Sequence, residues 1–85
     1  MPQDVGAVVE KFVRSAGQVS DDDPHFDRRV DLIEMGYLDS VGVVELLAYV
    51  AAEFGLGIDE ETWAMMDPLS IDQVAATIRA GRDAT

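Results

Sequence analysis

Apolar and polar positions alternate along this chain in stretches of distinct rhythm. Between positions 4 and 16, Val5, Val8, Val9, Phe12 and Ala16 recur at helical spacing while Glu10, Lys11 and Arg14 fall opposite, which predicts an amphipathic helix with one core-facing stripe. Gly17 reads as its stop signal. From Gln18 to Leu38 the rhythm is lost, and Asp21-Asp22-Asp23-Pro24 marks a turn or cap cluster, since Pro24 cannot continue a preceding helix. Val30, Leu32, Ile33, Met35 and Leu38 are expected to pin this long loop to a core, with room for short helical turns inside it. A connection of that length in a small domain usually has a functional reason.

A second helix is predicted over residues 40–54, stopped by Gly55 and Gly57. At 100° per residue, Val43, Leu46, Leu47, Val50 and Phe54 gather within about one third of the circumference as the core stripe. The opposite face carries Val41, Glu45, Ala48 and Ala52, flanked by Val44 and Ala51, where an ordinary surface helix would show lysines and glutamates. Such a helix is either buried on all sides or keeps one face for a partner. A chain this short has few elements to bury it, which favours a docking face. Ile58-Asp59-Glu60-Glu61-Thr62 opens a short third helix, with Trp63, Met66 and Leu69 inward and Met65 at the rim, ended by Asp67-Pro68. Ser70-Ile71-Asp72-Gln73 reads as a capping box, and Ile71, Val74, Ala75 and Ile78 give a last helical stripe to about Ala80, ended by Gly81 and a small polar tail. The expected fold is all-α: one domain over residues 1–85, a four-helix bundle of three main helices and one short one, with a long first loop.

Composition narrows the function. The 85 residues carry a formal charge of −11, which argues against nucleic-acid binding, because phosphate backbones reward lysine and arginine. The acid either steers encounter with basic partner surfaces or simply keeps a small apolar protein soluble and monomeric. There is no cysteine, so disulfides and thiolate metal sites are ruled out. No apolar run is long enough to cross a bilayer, and Met1-Pro2-Gln3-Asp4 lacks the regions of a signal peptide; a cytoplasmic protein is expected.

Catalytic chemistry has little to work with. His25 is the sole histidine and stands in the loop beside Pro24 without triad spacing; Lys11 is the sole lysine, on the polar face of the first helix. A calcium loop starting at Asp21 would need glycine sixth and glutamate twelfth, where the chain has Phe26 and Leu32. The glycines near Gly36 and Gly55 match no phosphate-binding loop. Neither a catalytic residue nor a metal site is expected.

Asp39-Ser40 is what remains. Both residue types favour helix starts, and capping alone would explain them. If Asp39 is the N-cap, however, Ser40 takes the first helical position and its hydroxyl is left free. A phosphate ester on that oxygen would face unpaired backbone N–H groups and the positive helix end.

Asp39-Ser40-Val41, followed by Val44-Glu45-Leu46 and ending Glu53-Phe54-Gly55, resembles the acyl carrier protein family and its peptidyl and aminoacyl carrier relatives. The resemblance is densest from Leu32 to Ile58, and the flanking helices suit the same bundle. It implies that Ser40 is esterified with 4′-phosphopantetheine donated from coenzyme A by a phosphopantetheinyl transferase. The arm's thiol would hold an acyl or aminoacyl thioester and pass it from a loading enzyme to a downstream acyltransferase or synthase. Asp39 would present the serine to the transferase and its magnesium, and Val41, Val44, Glu45 and Ala48 match the family's recognition-helix positions. Gly42, Ala51 and Ala52 stand where fatty-acid carriers place acids, which suggests a dedicated partner reading an apolar face. Gly36-Tyr37-Leu38-Asp39-Ser40 lacks the Gly-Gly-x-Ser pattern of peptide-synthetase carriers. It looks more like free-standing D-alanyl carriers and discrete carriers of polyketide pathways. The reading from a different class is an acidic helical interaction module without a prosthetic group.

Overall fold

The computed structural model describes residues 4–83; residues 1–3, part of the start read above for a signal peptide, and residues 84–85 of the polar tail lie outside it. Helix α1 spans Val5–Ala16 and begins where the Asp4 carboxylate accepts a hydrogen bond from the Ala7 N–H at 3.1 Å. Its buried stripe is Val5, Val9 and Val13. This is rotated from the expected stripe: Val8 and Phe12 are half-buried at its edge, Ala16 is exposed, and Val13 takes the central place. Two helices pack on α1 and share its face between them. The Phe12 ring accordingly stacks on Tyr49 of the second helix, 4.6 Å between centroids, rather than entering the core.

Helix α1 does stop at Gly17, but not because that glycine turns left-handed. Gly17 has φ −89°, and the left-handed residue is Gln18, at φ 52°. The Val19 N–H donates to the Arg14 carbonyl at 2.9 Å and the Gln18 N–H to that of Ser15 at 3.3 Å, the paired bonds of a Schellman ending with Gln18 in the position glycine usually holds. Glycine is needed at 17 for space: a Cβ there would come within 2.5 Å of the Tyr37 carbonyl oxygen.

The long connection is fixed at a few points. Phe26, Leu32 and Leu38 are buried, whereas Ile33 and Met35 are 51% and 45% exposed, contrary to the expectation that they pin the loop. The cause is a tight turn: the Leu32 carbonyl accepts from the Tyr37 and Leu38 N–H groups at 2.9 and 3.0 Å, and Met35 N–H donates to the Asp31 carbonyl at 3.0 Å. With Leu32 inward, its neighbours on the turn point out. Backbone bonds from Leu32 N–H to the Leu69 carbonyl and from Asp72 N–H to the Arg28 carbonyl, both 2.9 Å, tie the loop to the chain entering the last helix.

Helix α2 spans Ser40–Phe54 and ends at Gly55 in the left-handed region, φ 62°. Leu46 and Val50 are fully buried, with Val43, Leu47 and Phe54 packed around them. The short α3, Glu60–Ala64, is capped by Asp59, whose carboxylate accepts from the Thr62 N–H at 2.8 Å. Trp63, Met66 and Leu69 turn inward and Met65 is exposed, as the pattern predicts. Helix α4, Ile71–Asp83, starts with the Gln73 N–H donating to Ser70 Oγ at 3.1 Å, and Ile71, Val74, Ala75 and Ile78 form its buried stripe. It runs past Gly81 rather than stopping there. Leu56 lies against that glycine, where a Cβ would meet its Cδ2 at 2.8 Å, so Gly81 serves close packing inside the helix. An interior glycine costs about 1 kcal/mol of helix propensity, which packing outweighs.

The fold is an all-α bundle around one core, with α1 packed against α4 and α2. Its radius of gyration, 12.2 Å, is what a chain of this length gives when close-packed.

Candidate functional site

The segment entering α2 is held from three sides. Leu38 is buried and its N–H is bonded to Leu32, so the chain cannot swing at that point. One residue earlier, the Tyr37 hydroxyl donates to the Asp23 carboxylate at 3.0 Å. Its ring meets Phe26 edge-on, 5.1 Å between centroids, and the Arg14 guanidinium lies 4.5 Å over the other aromatic. Partial desolvation, then the bond to Asp23, pushes the Tyr37 phenol above its ordinary value. The His25 backbone N–H, with Tyr37 contributing less, holds Asp23 below the usual carboxylate range. Both groups are moved further from neutrality, which suits a tether and not a proton relay.

Asp39 is the N-cap of α2. Its carboxylate accepts from the Gly42 N–H at 2.8 Å, and its carbonyl accepts from the Val43 N–H at 3.0 Å. Helix geometry leaves the N–H groups of Ser40 and Val41 outside the intrahelical ladder, at the end where the dipole is positive. Ser40 is exposed, and capping makes no demand on its hydroxyl.

Beside Ser40 opens a groove of ≈ 630 Å³. One wall is the Schellman ending of α1, residues 16–18; the other is Ile33, residues 36–39 and the first turn of α2 with Ser40 and Gly42. Its volume lies in the range of small-molecule sites, about 300–1,000 Å³. The lining mixes backbone groups, Asp39 and Ser40 with the apolar surfaces of Ile33, Tyr37 and Leu38.

No family model, curated protein or solved structure matches this chain. Function has to be read from the site's own chemistry.

Behind Ser40, the outer face of α2 is open. Val41 and Val44 are 63% and 64% exposed, and Glu45, Ala48, Ala51 and Ala52 are exposed with them. Positions 41, 44, 45 and 48 lie on one helical stripe, so the structure gathers the sequence-predicted contact residues into a continuous strip that starts at Ser40. Between Val30 and Ile78 the chain has no lysine, arginine or histidine, so α2 and α3 are purely acidic among charged residues. His25 and Lys11 are exposed, on the long loop and on α1. Among the described residues no group of three His, Asp or Glu side chains could hold a metal ion.

The groove had no sequence signal. Its lining comes from separated stretches of the chain that only the tertiary fold brings together.

Proposed function

We propose that this chain is a carrier protein whose Ser40 bears a 4′-phosphopantetheine arm and shuttles an acyl or aminoacyl group between biosynthetic enzymes. The observation that carries the reading is the division of labour at the head of α2. Asp39 satisfies the helix end, leaving an exposed Ser40 hydroxyl beside free N–H groups on a rigidly held segment. The residues present fit the group: the N–H groups of Ser40 and Val41 suit a phosphodiester on Ser40 Oγ, and the adjacent groove of ≈ 630 Å³ has the volume of a small-molecule site.

Loading would join Ser40 Oγ to the phosphorus that carries pantetheine in coenzyme A, with the hydroxyl proton passing to a base and adenosine 3′,5′-bisphosphate leaving as the pyrophosphate bond breaks. Asp39, fixed by the Gly42 N–H, keeps Ser40 at the helix start and would help present it to the transferase and its magnesium. When bound, the arm supplies a thiol that holds cargo as a thioester. Val41, Val44, Glu45 and Ala48 meet the loading and accepting enzymes through a nearly uncharged strip. The absence of acids at Gly42, Ala51 and Ala52 favours a dedicated partner, and the Gly36-Tyr37-Leu38-Asp39-Ser40 form favours a polyketide-type or related secondary-metabolite pathway. Among the described residues no helix is long and apolar enough to cross a membrane.

The exposed strip also favours the second reading, an acidic interaction module with no prosthetic group. Intact mass after incubation with coenzyme A, magnesium and a broad-specificity transferase decides between them. The carrier gains one phosphopantetheine, and Ser40→Ala gains none while keeping its helical spectrum. A folded wild-type protein that gains no mass overturns the carrier reading.

A further inference from the structure

The groove beside Ser40 has no role in the loading step, and the residues that build it are otherwise costly. Gln18 holds a left-handed conformation at φ 52°, Gly17 sits where no Cβ fits, and Ile33 leaves half its surface in water on a loop that buries Leu32 and Leu38. Together they shape a trough that begins at the Ser40 side chain and runs between the end of α1 and the 31–36 turn.

We infer that this trough is a resting site for the pantetheine arm of the same molecule, folding it back over Gln18, Ile33, Gly36 and Tyr37 when no partner is docked. The inference rests on the carrier reading and adds where the arm goes. The occupant is fixed by continuity, because a group on Ser40 Oγ starts at the trough's edge and meets it at high effective concentration. The chemistry also matches. The arm combines amides with short apolar links, and the trough combines polar Gln18, Asp39 and Ser40 with apolar Ile33, Tyr37 and Leu38. Val41, Val44, Glu45 and Ala48 are not among the lining residues, so parking leaves the docking strip uncovered.

The test compares amide spectra of ¹⁵N-labelled protein before and after conversion by coenzyme A and transferase, with conversion verified by intact mass. The expected result is shift changes at Gln18, Ile33, Gly36 and Tyr37, and nuclear Overhauser contacts from the arm's paired methyl groups to the Ile33 and Tyr37 side chains. In fully converted Ile33→Asp, the shift changes at Gln18 and Gly36 are lost while those next to Ser40 stay. Ile33 is exposed enough for that variant to fold, and the wild-type contacts decide the matter without it. Full conversion with shift changes confined to residues 38–43 overturns the parking site and leaves the carrier reading standing. No conversion of a folded protein overturns both.

Discussion

Glu10 shows how much one half-buried carboxylate organises. It accepts from Arg28 Nε at 2.8 Å and from Arg14 Nε at 3.2 Å, joining α1 to the long loop. Arg28 holds the Glu10 carboxyl below its ordinary value, desolvation opposes it, and Arg14 adds to the lowering, while Glu10 in turn raises Arg28. A depressed carboxylate contributes stability that is present above the unfolded pKa, about 4.3 for glutamate, and is lost as pH falls through the lower folded value. Glu10→Gln is therefore expected to cost about 0.5–1 kcal/mol near neutrality, the range of partly exposed ion pairs. Urea melts of the two proteins should converge as pH falls below about 4. A gap that does not change with pH would make the contact one of packing rather than charge. At the same scale, Asp39 and Ser40 were legible in the sequence because capping depends on residue type at one position. The Phe26 environment was not legible, since its neighbours Arg14 and Tyr37 come from distant stretches.

Among the elements, α2 is the one with two apolar sides, and the structure separates them. Leu46 is fully buried and Val41 is 63% exposed. Leu46→Ala is expected to cost about 2–5 kcal/mol. Val41→Asp and Glu45→Arg should stay within about 0.5 kcal/mol of the parent in chemical denaturation, as exposed substitutions do, while slowing transfer from partner enzymes. Unfolding caused by either would mean that the strip is core. All four helices were readable because their apolar positions recur at helical spacing and each starts at an Asp or Ser cap. What misled was punctuation and rotation. Gly81 lies inside α4 because Leu56 needs the space, and α1 is turned toward Val13 because two helices share its face. Such facts belong to the neighbours of an element, not to its own residues.

The molecule as a whole carries a charge of −11 within a radius of gyration of 12.2 Å, so its acids are spaced on average about two to three Debye lengths apart at physiological salt and closer than one at low salt. Self-repulsion of this kind opposes the compact state. Melting followed by circular dichroism should therefore move to higher temperature as sodium chloride rises from about 0.05 M to about 0.5 M. A fall would mean that ion pairs such as those of Glu10 outweigh the repulsion. The close approach of Gly17 to Tyr37 has a consequence of another kind, for how such a chain can drift in sequence. Surface charges can be redrawn and core residues can trade volume with one another at modest cost. Position 17 has neither freedom, since the atom it would strike is a backbone carbonyl that no rotamer can move aside. A single methyl group added at the end of α1 would be felt, through Tyr37, by the segment that carries Ser40.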